Sequence, residues 1–222
     1  MSLSNGIVNW VEIAIYRVPA IIIALTVHEL AHGWVAWLRG DSTAKDAGRL
    51  SLNPLKHLDM MGTILLLFGP FGWAKPVPVS VMNLDNARRD LWKVAIAGPA
   101  SNIVLAVIFG LLLRFNVAGD VLGGYLGNLL MMCFYINIGL AFFNMLPVPP
   151  LDGSNFVLGL LPNNKVAPWL NAMRHAPTIL FGLIILEWLT PIKLFSAIID
   201  PLWTPYSRFL SLVIIGHGGL SQ

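Results

Sequence analysis

The chain has 222 residues, of which 56% are hydrophobic and only 11% are charged, and its mean hydropathy is +0.72. Soluble domains carry about 25% charged residues, so this composition excludes an ordinary soluble protein and predicts an integral membrane protein. The net charge of +3 comes from basic residues in the loops and gives no nucleic-acid signature. The only cysteine, Cys133, excludes a disulfide framework and a cysteine-type zinc site. The length fits a single domain covering residues 1–222.

The first apolar stretch contains three ionisable side chains within one helical turn. Residues 18–38 form an apolar segment of the length that crosses a bilayer, for which about 20 residues are needed. On a helix, His28 and His32 lie one turn apart on the same face and can bind one ion, while Glu29 lies beside that face. This HELAH motif is typical of zinc peptidases that use the glutamate as general base. Ionisable groups inside a span are costly and usually functional; histidines hydrogen-bonded within a helix bundle are the alternative.

The chain before and after this span is more polar. Residues 2–16 fit either an interfacial helix or an early extension of the span, and residues 39–59 form a polar loop. Residues 60–73 are apolar but short and broken by glycine and proline, which predicts a re-entrant segment. The prolines and valines of residues 74–81 favour an extended edge strand next to a polar site. The residues of this strand that we expect to contact a substrate strand are Lys75, Pro76, Val77, Pro78 and Val79.

The rest of the chain alternates between apolar spans and short loops. Together with the first span, these segments predict an all-α polytopic membrane protein with about four to six transmembrane helices, and with the re-entrant and strand segment near the active site. The predicted spans are residues 91–115, 125–146 and 177–199, with a short one at 209–215, and residues 161–175 are predicted to be a loop.

The distribution of basic residues predicts the orientation in the membrane. The loops at residues 39–56 and 75–93 are rich in lysine and arginine, whereas the loop at 116–124 has neither. The positive-inside rule therefore places the basic loops in the cytoplasm. At 1.5 Å per residue from the helix end, His32 lies about 10 Å and His28 about 16 Å deep. Asp152, at the end of a span running towards the cytoplasm, is expected in the same half of the bilayer.

A catalytic zinc needs three protein ligands and one open position, so a third ligand must be found elsewhere in the chain. The extended metalloprotease motif would place a histidine at position 38, where this chain has Leu38. Asp152 lies in the proline-rich segment PVPPLDG, at a depth that matches the two histidines and where an unpaired carboxylate is costly. We therefore predict Asp152 as the third ligand. The other candidates are Asp46, His57, Asp59 and His175. His57 and Asp59 lie in a polar loop, where such side chains are usually solvated.

Three motifs occur in a fixed order along the chain: HELAH at residues 28–32, GPASN at 98–102 and FNMLPVPPLDG at 143–153. Together with GRLSLNPLKHLD and FGWAKPVPV between the first two, they resemble the site-2 protease family of intramembrane zinc metalloproteases, in particular its compact prokaryotic branch. The resemblance covers about residues 24–162, with a catalytic core at about 18–162. It implies one zinc ion per chain and the following roles: His28, His32 and Asp152 as zinc ligands, Glu29 as general base, and Asn102 and Asn144 as supports of the site or of the scissile carbonyl.

The expected function is hydrolysis of peptide bonds in or near transmembrane segments of membrane-protein substrates. The resemblance implies a prokaryotic cell membrane, and the orientation implies an active site towards the cytoplasmic half of the lipid bilayer. The alternative is a non-proteolytic membrane protein that binds or transports a divalent metal ion, although the later spans offer mainly Glu187 as a further ionisable group. Asn102 also fits a simple hydrogen bond between helices. The sequence carries no signal for the oligomeric state.

Overall fold

The fold is a bundle of long helices joined by shorter ones. The computed structural model describes residues 3–62, 74–115 and 124–216, with side chains from residue 14 onwards. Short 3₁₀ turns occur at Pro54–Lys56 and Val81–Asn83. The helices are α1 (Leu3–Leu38), α2 (Thr43–Asp46), α3 (Ala87–Arg114), α4 (Tyr125–Asn144), α5 (Asp152–Leu160), α6 (Asn163–Ala172), α7 (Ala176–Leu189) and α8 (Leu194–Leu210), which continues into a π-helical turn at Ser211–Ile215.

Four segments of the described chain are long and apolar enough to cross a membrane: Ala14–Leu38, Ala87–Arg114, Tyr125–Asn144 and Asn163–Leu189. The predicted all-α polytopic architecture is therefore confirmed. Because α1 already begins at Leu3, the polar segment before the first span is an extension of its helix, which was one of the two alternatives. The predicted re-entrant segment falls largely on residues 63–73, which lie outside the described residues.

The predicted loop at residues 161–175 is wrong, because α6 occupies most of it. The polar start of this segment resembles a loop, yet Val166, Trp169 and Leu170 follow at the i, i+3, i+4 spacing of one helical face. Pro162, which is extended (ψ 150°), directly precedes the first turn of the helix. The periodicity, and not the local polarity, was the informative signal here.

The predicted span at residues 177–199 is also wrong as a single element, because the helix ends at Leu189 and a new one starts at Leu194. Pro191 lies in the break, and a proline disfavours helical backbone at the residue before it. The Glu187 carboxylate at the end of α7 accepts a hydrogen bond of 2.9 Å from the backbone N–H of Ser196 in the first turn of α8. This contact links the two helices across the break.

The core is formed where α1, α3 and α4 pack together. Asn102 of α3 is fully buried and donates through its Nδ2 to Asn137 Oδ1 of α4 at 2.8 Å and to the carbonyl of Ala24 in α1 at 3.2 Å. A buried polar side chain without partners would be costly, so this amide cluster fixes how the three helices pack. Phe134 and Ile138 of α4 pack into an apolar cluster with Ala106 of α3 and with Ile214 and Ile215 of the π-helical turn.

The predicted strand at residues 74–81 does not form in the described part of the chain, where residues 75–80 have no regular structure. A single antiparallel bridge joins Ala74 to Leu58. Proline at positions 76 and 78 removes two of the backbone donors that a strand ladder requires. The backbone N–H of Lys75 donates instead to the His57 carbonyl at 2.8 Å. Residues 75–80, which we call the cavity segment, are therefore held by individual contacts and not by a sheet.

Candidate active site

The two histidines of HELAH meet the aspartate of the LDG segment in the interior of the bundle. His28 and His32 lie one turn apart on α1 and are buried, and Asp152 is the first residue of α5. The Nε2 atoms of the two histidines are 3.1 Å apart, and Asp152 Oδ2 lies 3.1 Å from His28 Nε2 and 3.3 Å from His32 Nε2. Within the described residues, these three side chains form the one cluster suited to holding a metal ion.

The hydrogen bonds on the far side of each imidazole set its tautomer. His28 Nδ1 lies 2.6 Å from Asn102 Oδ1, and because the Nδ2 of Asn102 is already used as a donor, the imidazole nitrogen must carry the proton. His32 Nδ1 lies 2.7 Å from the Val94 carbonyl and must also donate. In the neutral imidazoles, both Nε2 atoms therefore present lone pairs to the centre of the cluster.

This donor set fits a zinc ion. With neutral imidazoles, two lone pairs and one carboxylate oxygen face one another, and Asp152 Oδ2 is buried with no hydrogen-bond donor among the described residues. Such an arrangement is unfavourable unless a cation occupies it. Ligands about 2.0–2.1 Å from a tetrahedral zinc are separated by about 3.3 Å, which agrees with the observed 3.1–3.3 Å. Histidine and carboxylate ligands, with a fourth position open, are the usual set of a catalytic zinc site.

Two glycines permit this close approach. A Cβ atom at Gly98 of α3 would lie 2.6 Å from His28 Nε2 and closer still to His32 Nε2, so any side chain there would occupy the centre of the cluster. A Cβ atom at Gly153 would collide with the carbonyl oxygens of Met145 and Leu146, where the chain turns to place Asp152. The glycines of GPASN and LDG are thus required by space and not by backbone flexibility.

Glu29 lies beside the cluster and is held by the cavity segment. Its Oε2 accepts a hydrogen bond of 2.8 Å from the backbone N–H of Val77. Val77 can approach α1 because residue 33 is glycine, where a Cβ atom would lie 3.0 Å from the Val77 side chain. Glu29, the two histidines and Asp152 all line one cavity of about 390 Å³, so a carboxylate stands next to the candidate metal position in a space that can admit a substrate.

The remaining sequence-predicted residues divide into two groups. Asn144 lines the cavity and its Nδ2 donates to the Leu140 carbonyl at 3.1 Å. Pro76, Val77 and Val79 also line it, whereas Lys75 and Pro78 do not. Asn102 lies behind His28, so its contact is with the imidazole and with neighbouring helices.

The rejected ligand candidates do not join the cluster. His57 was expected to be solvated, but it is buried, and its Nε2 lies 2.7 Å from the Ser51 carbonyl. Part of the polar loop that contains it is therefore packed against the protein.

Several residues of the site were not identified from the sequence. Asn137 and the carbonyl of Val94 complete the hydrogen bonds behind the histidines, and Asn155 lines the cavity one helical turn after Asp152. For Asn155, the i+3 spacing from Asp152 was an available signal. For Asn137 and Val94 no local pattern exists, because their roles depend on how α3 and α4 dock onto α1.

A second buried carboxylate anchors the far end of the cavity segment. Asp41 is fully buried in the loop after α1. It accepts hydrogen bonds from the backbone N–H of Ser80 at 2.7 Å, from Asn83 Nδ2 at 3.3 Å, and from both the N–H and the hydroxyl of Thr43. At the other end, Arg49 Nη2 donates to the Lys75 carbonyl at 2.6 Å. The loop between α1 and the cavity segment thus acts as a frame that holds Val77 against Glu29.

The ionised form of Asp41 should contribute stability that depends on pH. Burial opposes ionisation, but the hydrogen bonds from Thr43 and Ser80 outweigh it and hold the pKa of the Asp41 carboxyl below its ordinary value. A lowered folded-state pKa means that the contribution of the ionised carboxylate to stability is complete above the unfolded-state pKa of about 3.9 and is lost as the pH falls through the folded-state pKa.

We expect Asp41→Asn to lower the melting temperature by roughly 4–10 °C above pH 5. The difference from the wild type should shrink below pH 4. Asp46→Asn, at an exposed site of the same loop, is the control; a difference independent of pH would contradict the role given to the charge.

Comparison with known proteins gives a consistent set of relatives. The chain is 40% identical over 209 residues to a protein of Bacillus subtilis named "Putative zinc metalloprotease YwhC", covering 84% of this chain and 94% of that protein. It is 28% identical over 151 residues to "Putative zinc metalloprotease Rip2" of Mycolicibacterium smegmatis, covering 65% of this chain and 57% of the relative. It is 35% identical over 131 residues to "Putative zinc metalloprotease MJ0611" of Methanocaldococcus jannaschii, covering 58% and 62%. No family model matches the chain, and no solved structure matches it either.

Proposed function

Because the chain belongs to the site-2 protease family of zinc metalloproteases, we propose that it hydrolyses peptide bonds in or near transmembrane segments of membrane-protein substrates. The observation that carries this proposal is the buried cluster of His28, His32 and Asp152, which opens into the same cavity as Glu29. One zinc ion per chain is held by the three ligands in this proposal. The cluster lies between helices long enough to span a membrane, so the scissile bond must be brought to it within or close to the bilayer.

In the proposed reaction, Glu29 acts as the general base. When bound, zinc supplies Lewis acidity that polarises the scissile carbonyl and makes water easier to deprotonate. The Glu29 carboxylate takes a proton from the attacking water and gives it to the leaving amine, so that one group serves as base and then as acid. The Val77 N–H holds Oε2 of Glu29 and leaves the other oxygen for this transfer. In this proposal, Asn144, which lies on the cavity wall, orients the substrate carbonyl.

The cavity segment is proposed to bind the substrate in an extended form. A transmembrane helix hides its peptide bonds in its own hydrogen bonds, so it must unwind before cleavage. An extended substrate can pair with exposed backbone of the enzyme. Because the segment has proline at two of its six positions, the pairing must rely mainly on its carbonyl oxygens. If substitutions that rearrange this backbone left cleavage unchanged, this part of the proposal would be wrong.

We place the site in the cytoplasmic half of a prokaryotic cell membrane. The support is the density of lysine and arginine in the loop after α1 and before α3, since basic loops stay in the cytoplasm. The end of α1 that is nearer to the site connects to this loop, and α3 begins directly after it. Water would then reach Glu29 from the cytoplasm.

The proposal is tested by measuring metal and cleavage on the same preparation. Detergent-purified protein should contain one equivalent of zinc and should cut at least one member of a panel of single-span model substrates. Removing the metal with a chelator should abolish cleavage, and adding back zinc should restore it. Asp152→Asn should bind zinc more weakly, because it replaces an anionic ligand with a neutral one.

The alternative of a metal-ion transporter or binding protein predicts a different result. In that case zinc binds but no substrate is cut, and zinc flux across proteoliposomes depends on the same three ligands. That outcome would overturn the proteolytic proposal while leaving the metal site intact.

A further inference from the structure

A second cavity lies next to the active-site cavity and has no role in the reaction described above. It has a volume of about 410 Å³ and lies between the start of α3, the end of α5 and the start of α6. Val81 and Leu91 line both this cavity and the active-site cavity, so the two share a wall. The remaining apolar lining includes Leu158 of α5 and Val166 of α6. We call this second cavity the side groove.

The side groove contains one cationic group whose guanidinium is not fully paired. Arg88 lines it, and its Nη2 is buried without a hydrogen-bond partner among the described residues. Lys93, further along the same helix, is engaged, because its Nζ lies 2.7 Å from Asp90 Oδ1. A buried donor left unpaired is costly, and none of the described residues that line the groove is an aspartate or glutamate. A bound ligand with an anionic group would supply the missing partner.

We propose that the side groove binds the part of the substrate chain that continues from the scissile bond, with an aliphatic side chain against Leu158 and Val166 and an acidic side chain paired with Arg88. This inference rests on the proposed protease function. The adjacency of the two cavities is the reason for choosing the substrate itself as the occupant, because Val81 and Leu91 border both and a chain that leaves the active-site cavity beside them reaches the groove next. An extended chain advances about 3.3 Å per residue, so a few residues suffice to cover both cavities.

The chemistry of the groove also gives a specificity. The apolar walls accept an aliphatic residue but discriminate only weakly between aliphatic residues of different size. The Arg88 guanidinium, in contrast, discriminates between an acidic and a basic residue. We therefore expect substrates to carry an aspartate or glutamate in the segment flanking the cleaved bond. A lysine at the same position would face Arg88 and be disfavoured.

The first test separates substrate binding from catalysis. A cleaved model substrate is prepared with a single glutamate moved through each of ten flanking positions. At the preferred position, Arg88→Ala should raise KM on the order of 10-fold without changing kcat. Arg89→Ala, the neighbouring and exposed arginine, should change neither. Arg88→Glu should prefer a substrate with lysine at that position, a reversal that a folding defect would not produce.

The second test does not require turnover. In a Cys133→Ala, Glu29→Gln background and with an added mild oxidant, Val166→Cys should form a disulfide with a cysteine placed in the substrate flank. Ala167→Cys, at an exposed position, should not. The side-groove proposal alone would be overturned if the wild type cleaved the substrate, the Arg88 and Arg89 variants had equal KM values, and the two cysteine positions crosslinked equally. The change in KM caused by Arg88→Ala could also be independent of the flank sequence and depend on the content of anionic lipid. That result would assign the groove to a lipid headgroup and would also overturn the side-groove proposal. Absence of cleavage by the wild type would instead count against the protease function.

Discussion

Glu29→Gln is expected to reduce cleavage of a model transmembrane substrate by about 10²- to 10⁴-fold, the usual contribution of a general base. In the wild type, Glu29 Oε2 accepts a hydrogen bond of 2.8 Å from the Val77 N–H. The carboxamide of the variant retains an oxygen that can accept the same hydrogen bond, so the side chain should keep its position. What is lost is the ability to take and return a proton. Zinc content should be unchanged, because Glu29 is not one of the three clustered ligand residues.

The matched control is Glu187→Gln, which makes the same change at another partly buried glutamate. Glu187 lines a different cavity, at the junction of α7 and α8. The Glu187→Gln substitution should therefore leave kcat/KM unaffected. Rates of cleavage and zinc content are measured for both variants on equally folded preparations. If Glu29→Gln kept more than about a tenth of the wild-type rate, far above the usual effect of losing a general base, another group would have to be the base.

Gly98→Ala is expected to remove zinc binding and with it all metal-dependent cleavage. The added methyl carbon would lie 2.6 Å from His28 Nε2, well inside the contact distance of about 3.5 Å between non-bonded atoms. It would also press on His32 Nε2. Because α3 packs closely against α1 through the buried Asn102 amide, the helix cannot retreat without breaking other contacts. The imidazoles should therefore be pushed out of the geometry that binds a metal.

Gly139→Ala provides the control, since it makes the same substitution in the middle of α4. A Cβ atom there would meet only the Trp203 ring at 3.8 Å, an ordinary contact, and alanine is the better helix former by about 1 kcal/mol. This variant should retain zinc and activity and should be no less stable than the wild type. One equivalent of zinc in Gly98→Ala would show that the site can expand, contrary to the close packing observed.

The differences between sequence expectation and structure arise at particular elements. Segments with a long apolar pattern were predicted well, as α3 and α4 show. Residues 161–175 were misassigned because local polarity was weighed above periodicity, and the predicted strand at 74–81 fails because its prolines cannot donate to a ladder. The span expected at 177–199 is divided at Pro191, where one residue decides where a helix ends.

By itself, the sequence determined the membrane character of the chain and the local geometry of its motif. The i, i+4 spacing of His28 and His32 follows from the helix alone, and the cost of an isolated carboxylate in a membrane pointed to Asp152. Only the tertiary structure decided what surrounds these residues. Asn102 reaches His28 across 74 positions of the chain, and Val77 reaches Glu29 across 48. Such contacts depend on how helices and loops dock. Small residues such as Gly98 permit this docking, but no local pattern encodes it, because packing acts between segments that are distant in the chain.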